Sequence, residues 1–156
     1  MRTTIDRRRF IAAGASLMIG TAARSTLPAI RQAPKARIII DNDFAGDPDG
    51  LIALAHQLAT KAARPVLVTT SALDAKLAAL GGQPAGATAA AGKQAAIDLM
   101  QIMGLTNLCP VIVGSEQFGV AGAQASAAAR AIVAEAMRDD PLPLFFTCGG
   151  PLTNLA

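Results

Sequence analysis

Asp41, Asp43, Asp47 and Asp49 place four carboxylates within nine positions, directly behind the apolar run Ile38-Ile39-Ile40. Negative charges this close repel one another unless a cation, an arginine or shared protons intervene. No arginine follows Arg37 within this stretch. The donor set is therefore that of a hard cation with oxygen ligands. The bland alternative is a solvated turn in which Asp47 or Asp49 caps a following helix.

Such a cluster must be held by the elements around it. The isoleucines read as a buried strand, and the Gly- and Pro-containing acidic segment reads as the turn leaving its C-terminal end. In open α/β sheets that end is where ligands bind. Leu51, Leu54, Ala55 and Leu58 recur at helical spacing, so a helix is expected from Asp49 to about Thr60. Pro65 to Thr70 reads as a second strand, and Ser71 to Gly86 as a long loop. Thr88 to Met103 reads as a helix stopped by Gly104. Cys109 to Val113 follows as a third strand, and Glu116 to Gln124 as a Gly-rich loop. Ser126 to Arg138 is an Ala-rich helix with Ile132, Val133, Ala136 and Met137 as its apolar face. Pro143 to Cys148 is a fourth strand, and Gly149 to Asn154 turns out of it. Alternating strands and helices predict an α/β fold, a parallel sheet with helices on its faces. The polar or Gly-rich turns after strands one, two and four would then converge on one edge, and that edge is the predicted site.

The 156 residues, 52% apolar, suit one globular domain. The net charge of +3 is misleading, because residues 1–37 hold eight Arg and Lys against Asp6 alone, whereas 38–156 hold six against ten acidic residues. The part expected to fold is acidic, so no nucleic-acid partner is expected. The basic leader, Asp6-Arg7-Arg8-Arg9-Phe10-Ile11, resembles a twin-arginine export signal. The segment Phe10 to Ala23 is apolar, ends in small residues and is too short to span a bilayer comfortably. Residues 1–36 are therefore read as signal and linker and 37–156 as the domain, exported to the periplasm or beyond without stable membrane insertion. Cys109 and Cys148 are expected at opposite ends of a parallel sheet, beyond disulfide reach, as two free, buried thiols.

Ile40-Asp41-Asn42-Asp43 with Gly46-Asp47-Pro48-Asp49 resembles the aspartate cluster of the inosine/uridine-preferring nucleoside hydrolases, and more closely their exported, hydrolase-like branch. Gly150-Pro151-Leu152-Thr153-Asn154-Leu155-Ala156 is similar to that family's internal G-P-L-T-N-(I/L)-A stretch, and Val68-Thr69-Thr70 to the end of its second strand. The resemblance implies a Rossmann-like fold and hydrolysis of an N-glycosidic bond at a bound Ca2+. It implies that Asp43 ligates the ion and acts as general base, that Asp47 contacts ion and ribose, and that Asp49 and the Gly149 main-chain carbonyl are further ligands. Asp74 falls where the family usually offers an Asn to the ribose, a departure from its pattern, and Asp41 and Asn154 where supporting residues lie. Pro48 displaces the second of the family's paired aspartates by one residue. The family's later ion-binding aspartate and leaving-group histidine have no counterpart, since His56, on the first predicted helix, is not in their place. The chain therefore resembles the N-terminal half of such a domain, and catalysis by this chain alone is not expected.

Three rivals stand beside this reading, one of them a fragment that does not fold stably because an unfinished sheet exposes an apolar edge. A haloacid-dehalogenase-type phosphohydrolase would use Asp41 as nucleophile, Asp43 as acid and magnesium as the ion. A non-catalytic exported protein would bind sugar or calcium without turnover. Base preference, a homo-oligomeric state and the signal cleavage point are left open.

Overall fold

The computed structural model describes residues 33–46, 48–117 and 126–156. The leader, Asp47 and most of the predicted Gly-rich loop lie outside the described residues. Strand β1, Ala36–Asn42, is the centre of the fold. Its isoleucines are buried on both sides, as expected of an inner parallel strand. Alternation sends Ile38 and Ile40 to one face, where Ile40 packs with Leu54, Leu58, Val68, Ala96 and Met100. Ile39 points to the other, with Leu67 and Ile132.

Helix α1, Pro48–Ala59, opens on a proline, whose missing N–H costs nothing at a first helical position. Asp49 in that first turn matches the positive end of the helix dipole. Leu54 and Leu58, one turn apart, form its inner stripe. Strand β2, Ala63–Thr70, starts two residues earlier than its proline predicts. Ile38 pairs with Pro65 but Ile39 pairs with Leu67, so β2 holds one extra residue, Val66, beside a proline that cannot donate to the ladder.

The segment expected as a continuous loop contains a six-residue helix, α2, Ala75–Leu80. Asp74 accepts the Lys76 amide at 2.9 Å and starts it. Good helix formers continue it, and Gly81-Gly82 stop it. Six residues are too few for a helical period to show in the sequence. Helix α3, Thr88–Ile102, has no capping side chain of its own. Glu116, from the loop after the third strand, supplies the cap by accepting the Ala89 and Ala90 amides at 2.9 and 2.7 Å. Gly104, at φ 69°, ends α3 as its position predicts.

Strand β3, Val111–Val113, is shorter than predicted, although the Pro110 carbonyl still accepts from Val68. Helix α4, Ala127–Ala136, is capped by Ser126, which accepts the Ala129 amide at 3.0 Å. Its inner stripe is Ala128 and Ile132. The predicted face is corrected here, since only Ile132 of it is buried: Val133 and Met137 are 62% and 81% exposed, and Ala136 is exposed as well. Contact with β2 and β3 engages one stripe, and Val133 and Met137 lie on the next.

Strand β4, Leu144–Cys148, pairs with the free side of β1, so the parallel order is β3-β2-β1-β4. Helices α1 and α3 cover one face and α4 the other. This is the Rossmann-like α/β arrangement expected. The order reverses between β1 and β4, and in such sheets that switch point, at the strands' C-terminal ends, is the ligand crevice. The acidic turn leaves β1 at that place. Among the described residues no helix is long and apolar enough to cross a membrane.

The opposite end is locked by charge. Arg37, 4% exposed, donates to the Glu135 carboxylate at 2.6 Å and to the carbonyls of Glu135 and Leu142 at 3.0 and 3.1 Å. Asp140 accepts from Arg64 and Arg138 at 2.5 and 2.9 Å. The Leu142 amide, helped by Arg138 and Arg64, holds the Asp140 carboxyl down at about 2 against a smaller opposing effect of desolvation. Arg37→Met leaves the Glu135 and Leu142 carbonyls without their buried donor while Arg138 still pairs with the Glu135 carboxylate at 3.3 Å, so a loss of about 1–3 kcal/mol is expected in urea unfolding. Because the Asp140 carboxyl titrates below its ordinary 3.8, its contribution is complete above about pH 5 and is lost as pH falls toward 2. Acid-unfolding curves of wild type and Asp140→Asn should therefore converge at low pH.

Candidate functional site

Where β1 ends, the sheet register decides what each side chain meets. Asp41 is flanked by Thr69 on β2 and Cys148 on β4. Only 2% of it is exposed. Its Oδ2 accepts from Thr69 Oγ1 at 2.5 Å and from Asn154 Nδ2 at 2.7 Å, and Cys148 Sγ lies 3.7 Å from Oδ1. Burial raises its pKa, and these hydrogen bonds oppose the rise. Ser71, fully buried, approaches the same carboxylate, but its hydroxyl reaches hydrogen-bonding geometry with no partner.

Asn42 faces the other side of the sheet and is also buried. Its Oδ1 accepts the Asp43 amide at 2.9 Å, which turns the chain out of the strand. Its carboxamide fits between Gly50 of α1 and Gly149 after β4. A Cβ on Gly50 would come within 3.0 Å of Asn42 Nδ2, and one on Gly149 within 2.8 Å of its Cγ. Both positions therefore depend on glycine for space rather than for unusual backbone angles.

Asp43, the next residue, is half-buried. With Gly46, Asp49 and Gly149 it lines a cavity of about 380 Å³, to which Leu73, Leu77 and Leu80 add apolar lining. Three of the predicted ion ligands, drawn from two stretches at least 100 residues apart in sequence, thus share one cavity. Asp49 Oδ1 accepts the Gly50 amide at 2.8 Å, a first-turn contact that holds the side chain at the helix start. The polar residues that line it carry carboxylate and peptide oxygens, the donor types a calcium ion takes. Among the described residues no three His, Cys, Asp or Glu side chains gather as a metal group. Asp47, a predicted ligand and substrate contact, lies outside those residues.

The remaining predicted residues separate. Asp74 starts α2 and spends its carboxylate on the Lys76 amide. Asp41 is enclosed by hydrogen bonds and does not line the cavity. Asn154, 3% exposed, reaches back to Asp41 and Thr70. His56 is exposed in the last turn of α1, the end of that helix away from the acidic turn. Both cysteines are free as expected, but only Cys109 is partly enclosed, its thiol pushed up to about 11 by burial. Cys148 is exposed, which corrects the expectation, because β4 forms the outer edge of the sheet. A second cavity, of about 430 Å³, lies by the start of β3 and holds none of the predicted site residues.

Asn42, Thr69, Ser71 and Glu116 escaped the sequence reading as site residues. The available signal was the polar run Thr69-Thr70-Ser71, which continues a buried strand without any apolar residue. All three are 0% exposed, so their hydroxyls are internal structure. No protein-family model matches the chain, and comparison with curated proteins and with solved structures gives no match.

Gly150 tests the packing around Asp43. A Cβ there would stand 2.7 Å from Ser71 Oγ and 3.2 Å from Asp43 Cγ. Overpacking of this kind costs about 1–3 kcal/mol. Gly150→Ala is expected to show that loss in denaturant unfolding, together with a shifted Asp43 carboxyl resonance in NMR.

Proposed function

We propose that the acidic turn binds Ca2+ and that this chain carries the ion-binding and base-bearing part of an N-glycosyl hydrolase acting on nucleosides or a related glycoside. The observation that carries this reading is the shared cavity: Asp43 and Asp49 from the acidic turn and Gly149 from the distant Gly-rich turn line it together. Both turns are those that resemble the nucleoside hydrolases. Asp43, Asp49 and the Gly149 carbonyl would hold the ion, with Asp47 as a further ligand. When bound, the ion acidifies water and fixes sugar hydroxyls.

The chain's own residues supply the rest. Asp43, lining the cavity, takes the proton from water as its oxygen adds to the anomeric carbon. Positive charge grows on the sugar ring as the bond to the base breaks, and the neighbouring carboxylates favour that charge. Leu73, Leu77 and Leu80 offer an apolar wall to the base. Leu77 and Leu80 are 56% and 85% exposed, so an apolar occupant would cover surface that water now meets. The acid for the leaving base is unassigned among the described residues. The leader adds export to this reading.

A phosphohydrolase has less support. Asp41, its required nucleophile, is 2% exposed and its Oδ2 already accepts two hydrogen bonds. A sugar- or calcium-binding protein without turnover shares the ion site and differs only in reaction. Calorimetric titration with calcium chloride, and chromatography of base released from inosine and uridine by a protein that also carries the second half of the domain, decide between them. Asp43→Asn is expected to weaken calcium binding at least about 10-fold and to lower base release about 100- to 10,000-fold, the range for loss of a general base. Unchanged affinity and cleavage would sink the proposal. Phosphate release from a phosphomonoester would support the rival enzyme, and calcium binding without base release the non-catalytic protein.

A further inference from the structure

We propose that Asn154 is a positioning residue: its single carboxamide joins the ends of β1, β2 and β3 to the start of α4, with the buried Asp41 carboxylate as its fixed counterpart. A primary amide has two N–H donors and a carbonyl oxygen with two lone pairs. Here all four are used. Nδ2 donates to Asp41 Oδ2 at 2.7 Å and to the Thr70 carbonyl at 3.2 Å. Oδ1 accepts the Ser115 amide at 3.3 Å and Ser126 Oγ at 3.4 Å.

The surroundings are built to this side chain. Asn154 is 3% exposed. Gly114 passes so close that a Cβ there would overlap the Asn154 amide and the Thr70 carbonyl. Aspartate at 154 would have no donors for Asp41 and Thr70 and would set two carboxylates face to face. A leucine would leave a buried carboxylate, a carbonyl and an amide without this partner. Asparagine alone of the common residues of this size satisfies every group it meets.

The same contacts fix the cavity wall. The turn from Gly149 to Asn154 is tied at its start by the Gly149 amide on the Asp41 carbonyl, 3.0 Å, and at its end by the Asp41 side chain. Cys148 Sγ lies 3.1 Å from the Gly150 carbonyl between them. A Cβ on Gly150 would come within 3.0 Å of the Asp43 amide, so the turn and the Asp43 backbone are packed directly together. Releasing Asn154 frees one end of the segment that sets both Asp43 and the Gly149 carbonyl. Asp41 then serves the site by anchoring Asn154 and not as an ion ligand.

The effect on calcium rests on the function proposed above, whereas the effect on the turn does not. Hydrogen exchange of the full chain, followed amide by amide, tests it with Asn154→Asp and, as a second variant, Asp41→Asn. The expected result is exchange at least about 10-fold faster at Gly149 and Ser115, with the central amides of Ile39, Ile40 and Val68 still protected. Calcium affinity should fall about 10- to 100-fold, as when a residue orienting metal ligands is lost. Unchanged exchange at Gly149 and Ser115 overturns the proposal. So does uniform loss of protection or failure to fold in both variants, which marks a merely structural role. Absence of calcium binding by the wild-type chain refutes the proposed function, while the exchange pattern still decides the role of Asn154.

Discussion

Burying the Asp41 carboxylate at the end of the central strand is the constraint from which much of this structure follows. A charge taken out of water must be met by donors, or it neutralises or destabilises the fold. Thr69 and Asn154 meet it, and to do so β2 must be in register and the chain after β4 must return to β1. The polar run at the end of β2 and the lack of a side chain at Gly114 both belong to this arrangement. Burial raises the carboxyl pKa while the hydrogen bonds lower it, so the neighbours decide how much charge the fold keeps at its centre.

Asp41, Asp43 and Asp49, three of the four aspartates that read in sequence as one repelling cluster, are divided by geometry. Strand alternation sends Asp41 and Asn42 to opposite faces, so Asp41 turns inward while Asn42 packs against α1. Asp43 stands just past the strand and borders the cavity. Asp49 belongs to a helix start, where its charge suits the dipole and its oxygen meets a backbone amide. Repulsion is thus relieved by separation and by local donors, before any ion enters. The proposed cation has to satisfy the carboxylates that border the cavity and not all four.

The parallel sheet was legible because its signals are dense: an isoleucine triplet, strands led by prolines, and Gly104 closing a long helix. The convergence of the acidic and Gly-rich turns followed from that topology alone. Helix α2 was hidden because one and a half turns carry no period, and its capping residue, Asp74, resembled a site residue. Val133 and Met137 misled because apolar identity does not say which stripe of a helix meets the sheet. Cys148 was expected to be buried because the sequence does not say which strand lies at the edge. The position of Asn154 was legible, but its four-way contact was not. Its partners are far from it in sequence, up to 113 residues for Asp41, and no local pattern encodes them.

The extra residue in β2 bears on how the chain tolerates insertion and deletion. Ladder pairing is irregular only between Ile38 and Ile39, opposite Pro65 to Leu67, and is regular from there to Thr70. Loss of Val66 would straighten the strand and leave Thr69 beside Asp41, since the pairing beyond it is unchanged. Loss of a residue beyond Leu67 would instead move a hydroxyl away from the buried carboxylate and bring the following side chain to the wrong face. The two halves of one short strand thus carry different permissions: the first can change its length, and the second can change only its side chains.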